Sequence, residues 1–230
     1  MAATAQTVLD LDEVELREAN HRMQQAAAGQ SFAVTNPNGA HAIAAGLRSS
    51  ITVDVLGHAG YYCAGMNQDA IVRVHGNAGV GVAENMMSGR VEVMGRAGQS
   101  AGATAHGGLL VIRGDAAARC GISLKGGDIV VRGSVGHAGA FMAQTGRMVV
   151  LGDAGAGLGD SIYEARLYVR GAVADLGADC IQEPMADGDH VEVTELLEQA
   201  GISDVKSGEF RRFGSARTLY HWHPSNAGLV

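Results

Sequence analysis

Val53-Asp-Val-Leu-Gly57, Val72-Arg-Val-His-Gly76, Val91-Glu-Val-Met-Gly95, Leu110-Val-Ile-Arg-Gly114, Ile129-Val-Val-Arg-Gly133, Met148-Val-Val-Leu-Gly152 and Leu167-Tyr-Val-Arg-Gly171 repeat one pattern every 19 residues. A fixed period near 20 is the mark of a solenoid, in which each coil buries its apolar side only against its neighbours. Aliphatic residues stand four and two positions before every glycine, and that period of two with β-branched side chains predicts a strand. The inward column is Val55, Val74, Val93, Ile112, Val131, Val150 and Val169.

Two further columns hold small residues. Three past the glycine stand Gly60, Gly79, Gly98, Ala117, Gly136, Gly155 and Ala174; seven past it stand Ala64, Ala83, Gly102, Gly121, Ala140, Gly159 and Ala178. Such columns belong where the backbone turns sharply or where coils crowd. The fold predicted is all-β, a right-handed parallel β-helix of about seven 19-residue coils, ~29 Å long at ~4.8 Å per step. A left-handed hexapeptide helix is disfavoured because the position four past the glycine runs Tyr61, Val80, Gln99, Ala118, His137, Ala156, Asp175.

The remaining chain is read as ends. Residues 1–48 hold a helix, opened by a capping box of Asp12 and Glu15 and closed by Gly29, then an irregular coil with Val34 placed 19 before Val53 and a turn at Asn36-Pro-Asn-Gly39. Residues 49–183 form the solenoid. Residues 184–230 form a C-terminal cap, with a short helix from Thr194 to Ala200 and an aromatic tail from Phe210 to Trp222.

Composition narrows the function classes. The 230 residues include 34 Gly and 3 Pro, with 47% hydrophobic and 4% aromatic content, which fits many tight corners around an ordinary core. A net charge of -7 argues against nucleic acid. Apolar runs are too short to span a bilayer, and the first 20 residues lack a signal pattern, so a cytoplasmic protein is expected. Cys63 and Cys120 fall in one column three coils apart, ~14 Å, too far for a disulfide.

No residue set reads as catalytic or metal-ligating. Gly155-Ala-Gly157-Leu-Gly159 lacks the third fingerprint glycine and the helix of a dinucleotide loop. His221 and His223 have no third ligand in view. His58 and His137 lie at different coil phases. The carboxylates Asp54, Glu84, Glu92, Asp115, Asp153, Asp160 and Glu164 are scattered, so saccharide chemistry on a stand-alone β-helix is a minor alternative.

The outward strand column is more informative. It runs Asp54, Arg73, Glu92 and then Val111, Val130, Val149, Tyr168, a solvated start followed by an apolar stripe beside Arg113, Arg132 and Arg170. Like charges stacked on one face repel unless acids approach. These seven residues are therefore a candidate partner interface, and on that reading Val130→Asp weakens assembly but spares the fold. The competing reading is that the chain's own tail covers the stripe and supplies the acids.

The 19-residue glycine pattern, preceded by Asn36-Pro-Asn-Gly39-Ala-His41, resembles the C-terminal domain of the glutamate synthase large subunit over about residues 30 to 183. A chain carrying little else is most similar to the free-standing form of that domain in N-methylglutamate synthases. The ending Phe210-Arg-Arg-Phe-Gly-Ser-Ala-Arg-Thr-Leu-Tyr220-His points the same way. The resemblance implies a right-handed β-helix without catalytic residues or cofactor of its own. It implies two partners: a glutamine amidotransferase-like subunit and a glutamate synthase-like subunit with FMN and iron-sulfur. The β-helix subunit of formylmethanofuran dehydrogenase and of formyltransferase/hydrolase complexes is the second family resembled.

Overall fold

The computed structural model describes residues 6–217. The His221/His223 pair and the tail beyond Arg217 lie outside that range. The chain is a right-handed parallel β-helix. Its one sheet runs β1 (Thr7–Asp10), β2 (Ser31–Thr35), β3 (Thr52–Val55), β4 (Ile71–Val74), β5 (Arg90–Val93), β6 (Leu109–Ile112), β7 (Lys125–Val131), β8 (Thr145–Val150), β9 (Arg166–Val169), then β11 (Arg211–Ser215) and β10 (Cys180–Glu183). From β3 to β9 the register is the predicted one, Val55 to Val74 to Val93 to Ile112 to Val131 to Val150 to Val169. Those seven side chains fill the interior with at most 1% exposure.

A second ladder of isolated bridges joins Ala59, Ala78, Ala97, Ala116, Val135, Ala154 and Val173. Past it, each coil turns through alternate left-handed residues, as at Tyr62, Ala64 and Met66 (φ 60°, 54° and 56°). Their amides reach both neighbouring coils: Tyr62 N–H donates to the Val80 carbonyl (2.8 Å) and Ala64 N–H to that of Ile43 (2.9 Å).

The two glycine columns exist for crowding. Gly79 does not have a positive φ, yet a Cβ there would lie 2.6 Å from the Gly60 carbonyl carbon. The left-handed backbone falls instead in the Ala-or-Gly column, from Ala64 to Gly159. Left-handed alanine is strained, but Cβ atoms there point into a narrow core: one added at Gly102 would sit 2.7 Å from Ile129 Cδ1.

The ends differ from expectation. The described residues open with β1, and α1 (Leu16–Gln24) has no side-chain cap, because the Asp10 carboxylate accepts the Asp12 N–H at 3.0 Å and holds that segment in a turn. Ala19 and Met23 of α1 are buried on the first coil, and Asn20 clasps it through the Ala42 carbonyl and the Ala44 amide (both 2.9 Å). Val34 pairs with Val55, not Val53, so the first coil is two residues longer than the repeat, and its NPNG turn absorbs them through left-handed Asn36, Asn38 and Gly39. The C-terminal helix α2 runs Asp187–Gln199, seven residues earlier than predicted. Among the described residues no helix is long and apolar enough to cross a membrane.

Candidate interaction surface

The outward column from β3 to β9 aligns in register as Asp54, Arg73, Glu92, Val111, Val130, Val149 and Tyr168. Its apolar half is not free. Val111, Val130, Val149 and Tyr168 are all 0% exposed, packed beneath Val193, Leu196 and Leu197 of α2 with Ala200, Ile202 and Phe210. The stripe assigned to a partner is therefore the seat of the chain's own C-terminal segment. Each of those cap side chains, fully buried, contributes about 1.5–3 kcal/mol if Ala200 is left out. Spacing at 193, 196, 197 and 200 is that of an amphipathic helix face, so α2 can lay one continuous stripe along the sheet.

The arginine column is neutralised internally as well. Arg132 pairs with Asp204 (2.9 Å), Arg170 with Glu209 (3.1 Å), and Arg113 with Glu92 on the preceding strand. Leu151 stands between Arg132 and Arg170, which also breaks the run of like charge. Glu92, expected to be solvated, is 8% exposed. Burial pushes its carboxyl up, but Arg113 and Arg90 outweigh that and hold it below the usual glutamate range. Arg90 in turn donates to the Gln199 carbonyl at 2.7 Å, where α2 ends over β5.

A polar group anchors the other end of α2. The buried Tyr168 hydroxyl lies 2.7 Å from Asp189 Oδ1 and 2.8 Å from Glu192 Oε2. Burial, then these two carboxylates, raise the phenol's pKa, so it stays a donor. Burial likewise raises the Asp189 carboxyl, but the Ala186 N–H, the phenol and Arg212 prevail and lower it. Arg166 holds Glu192 at 2.5 Å, and Arg147 grips Asp128 one coil back at 2.7 Å.

Histidines and carboxylates at the glycine corner have a structural task that sequence reasoning missed. The side chain just after the glycine accepts the main-chain N–H one coil on. His58 Nδ1 takes Asn77 N–H (2.9 Å), Asn77 takes Arg96, Asp115 takes Ser134, Ser134 takes Asp153, and Asp153 takes Ala172 (2.7 Å). The signal was present as a column of His, Asn, Asp, Ser and Asp broken by Arg96. Acceptors of that reach are the ones that satisfy an amide locally. Cys63 and Cys120 are buried and free, with burial pushing both thiols up to about 12, so neither supplies a thiolate. Among the described residues no three His, Cys, Asp or Glu side chains could hold a metal.

Apolar side chains also stay exposed at the corners of the first coils, as Met142, Tyr163, Ile181 and Val191 do farther along the chain. One residue before the glycine, Leu56 and Met94 (47% and 48% exposed) stand one coil either side of His75, whose Nε2 meets Asp54 at 2.8 Å. Tyr61, stacked on His41 at 3.7 Å, and Val80 are exposed at the next corner. No family model matches the chain. It is 57% identical over 223 residues to Protein GlxC of Rhizobium meliloti (strain 1021), covering 96% of this chain and 98% of that protein. The chain belongs to the GlxC family. Coverage of almost the whole of both chains means that the GlxC relative extends over the solenoid and both capped ends alike.

Proposed function

We propose that this chain is a non-catalytic scaffold subunit of a heteromeric, glutamate-synthase-like enzyme that converts glutamate and methylamine to N-methylglutamate and ammonia. One partner is a glutamine amidotransferase-like subunit, the other a synthase-like subunit carrying FMN and iron-sulfur, and both work in the cytoplasm. The observation that carries the proposal is the 19-residue strand register that runs from Val53 to Gly171 with one bulge at Lys125–Asp128, bonded coil to coil at strand, bridge and corner. A rod of that kind, its interior filled by side chains, holds two bodies at a set distance and orientation. The glycine pattern that resembles the glutamate synthase domain is the same one that sets this register.

The chemistry of the chain's own groups supports the same reading. The acids and arginines of the sheet face are committed to one another, the corner histidine His58 to a main-chain amide, and the core thiols to burial. Co-expression with the two subunits, followed by size-exclusion chromatography with light scattering, tests it. The three chains are expected to co-elute, and association with neither partner sinks the proposal.

A further inference from the structure

Among the described residues, strand β1 is the first strand of the sheet and pairs with β2 alone. In a parallel pair, alternate residues turn their N–H and C=O toward the neighbour. Leu11 N–H donates to the Thr35 carbonyl of β2, so Thr7, Leu9 and Leu11 face β2. Val8 and the N–H of Asp10 then face the open edge, along with the Gln6 carbonyl. The Asp10 carbonyl is already taken by the Glu13 and Val14 amides at 3.0 and 2.8 Å. At the far end of the sheet the edge strand β10 runs into Pro184, which has no N–H to offer, whereas β1 has no such block.

Two further observations bear on what the edge takes. Val8, at 61% exposure, is the most exposed large apolar side chain among the described residues. The segment that follows is acidic, with Asp10, Asp12, Glu13, Glu15 and Glu18 against Arg17 alone, and Asp12, Glu13 and Glu15 are exposed. Asp10 is held in its charged form by the Asp12 N–H and Asn36, below the ordinary aspartate range.

We propose that the open edge of β1 receives an extended segment of a partner subunit bearing Lys or Arg beside an apolar residue, added as a further strand of the sheet. The open main-chain groups select an extended backbone, Val8 selects an apolar neighbour, and the acids select basic flanks. That the donor is a subunit of the complex rests on the scaffold reading; the chemistry of the edge does not.

Val8→Pro separates the edge from the fold. It deletes an N–H that points away from β2, a place where proline is tolerated in strands, and leaves the β1–β2 bonds in place. The first probe is an acetylated (Lys-Val)3 peptide added to the full chain, read by amide hydrogen exchange, with (Glu-Val)3 as control. The basic peptide is expected to slow exchange at Val8 and Asp10 at least tenfold in the parent, and neither peptide to slow it at Asp10, the edge amide that remains, in Val8→Pro. Equal effects of both peptides, or none, overturn the proposal. So does protection of these two amides in the isolated chain, or a dimer of the isolated chain that Val8→Pro dissolves. In the co-expressed complex, Val8→Pro is expected to weaken association at least tenfold and Val8→Ala less than threefold. A complex indifferent to Val8→Pro overturns the proposal, whereas no complex at all defeats the scaffold reading and leaves the peptide result to decide the edge.

Discussion

Replacing Val130 by alanine should loosen α2 from the sheet of the isolated chain. The side chain is 0% exposed, in the middle of the outward column, with Val111 and Val149 on either side and α2 above. Removing two methyl groups loses about 1.6 kcal/mol of burial at ~0.8 kcal/mol each. A cavity beneath a helix held from both ends collapses only in part, adding about 1 kcal/mol. The total of about 2–3 kcal/mol corresponds to a loss of roughly 25- to 140-fold, at ~1.4 kcal/mol per factor of ten. Amide exchange of Val193, Leu196 and Leu197 reads it directly, because undocking of the cap is a local opening. Exchange at the parent rate in Val130→Ala would refute the packing argument. Val130→Asp should be worse, since a buried carboxylate without a partner costs several kcal/mol. Its damage is limited by the free energy of undocking α2, after which the carboxylate is solvated.

Other expectations concern spacing and charge. Gly79→Ala should destabilise the solenoid by about 1–3 kcal/mol, since its Cβ would meet Gly60 main chain at 2.6 Å and backbone cannot swing aside; thermal unfolding measures it, and Ala117→Gly in the same column should cost less. Tyr168→Phe should raise the Asp189 pKa and speed exchange at the start of α2, because Asp189 loses a donor. Asp189 titrates below its ordinary value in the fold, so its contribution is present above the unfolded pKa of ~3.9 and lost as pH falls through the folded one. Cap stability in the parent should thus hold to lower pH than in Tyr168→Phe.

The strands were legible because the inward column repeats without exception, and one slip would have turned every valine outward. The same column method exposed the apolar stripe at Val111, Val130, Val149 and Tyr168. It could not say what lay on it. The apolar spacing of Val193, Leu196, Leu197 and Ala200 matches the stripe, yet pattern gives a face and not the surface it meets. The acids that neutralise Arg132 and Arg170 come from Asp204 and Glu209, 72 and 39 residues away, with nothing local to link them. Strand β1 was missed because four residues outside the repeat carry too little periodicity. Asp12 and Glu15 had the spacing of a capping box, but Asp10 claimed the Asp12 amide first.

The most direct test of the scaffold claim is the mass of the amidotransferase-like and synthase-like subunits, mixed with and without this chain. Light scattering is expected to find one complex containing all three when the chain is present, and separate subunits when it is left out. A stable complex of the other two that forms N-methylglutamate in its absence would contradict the scaffold claim.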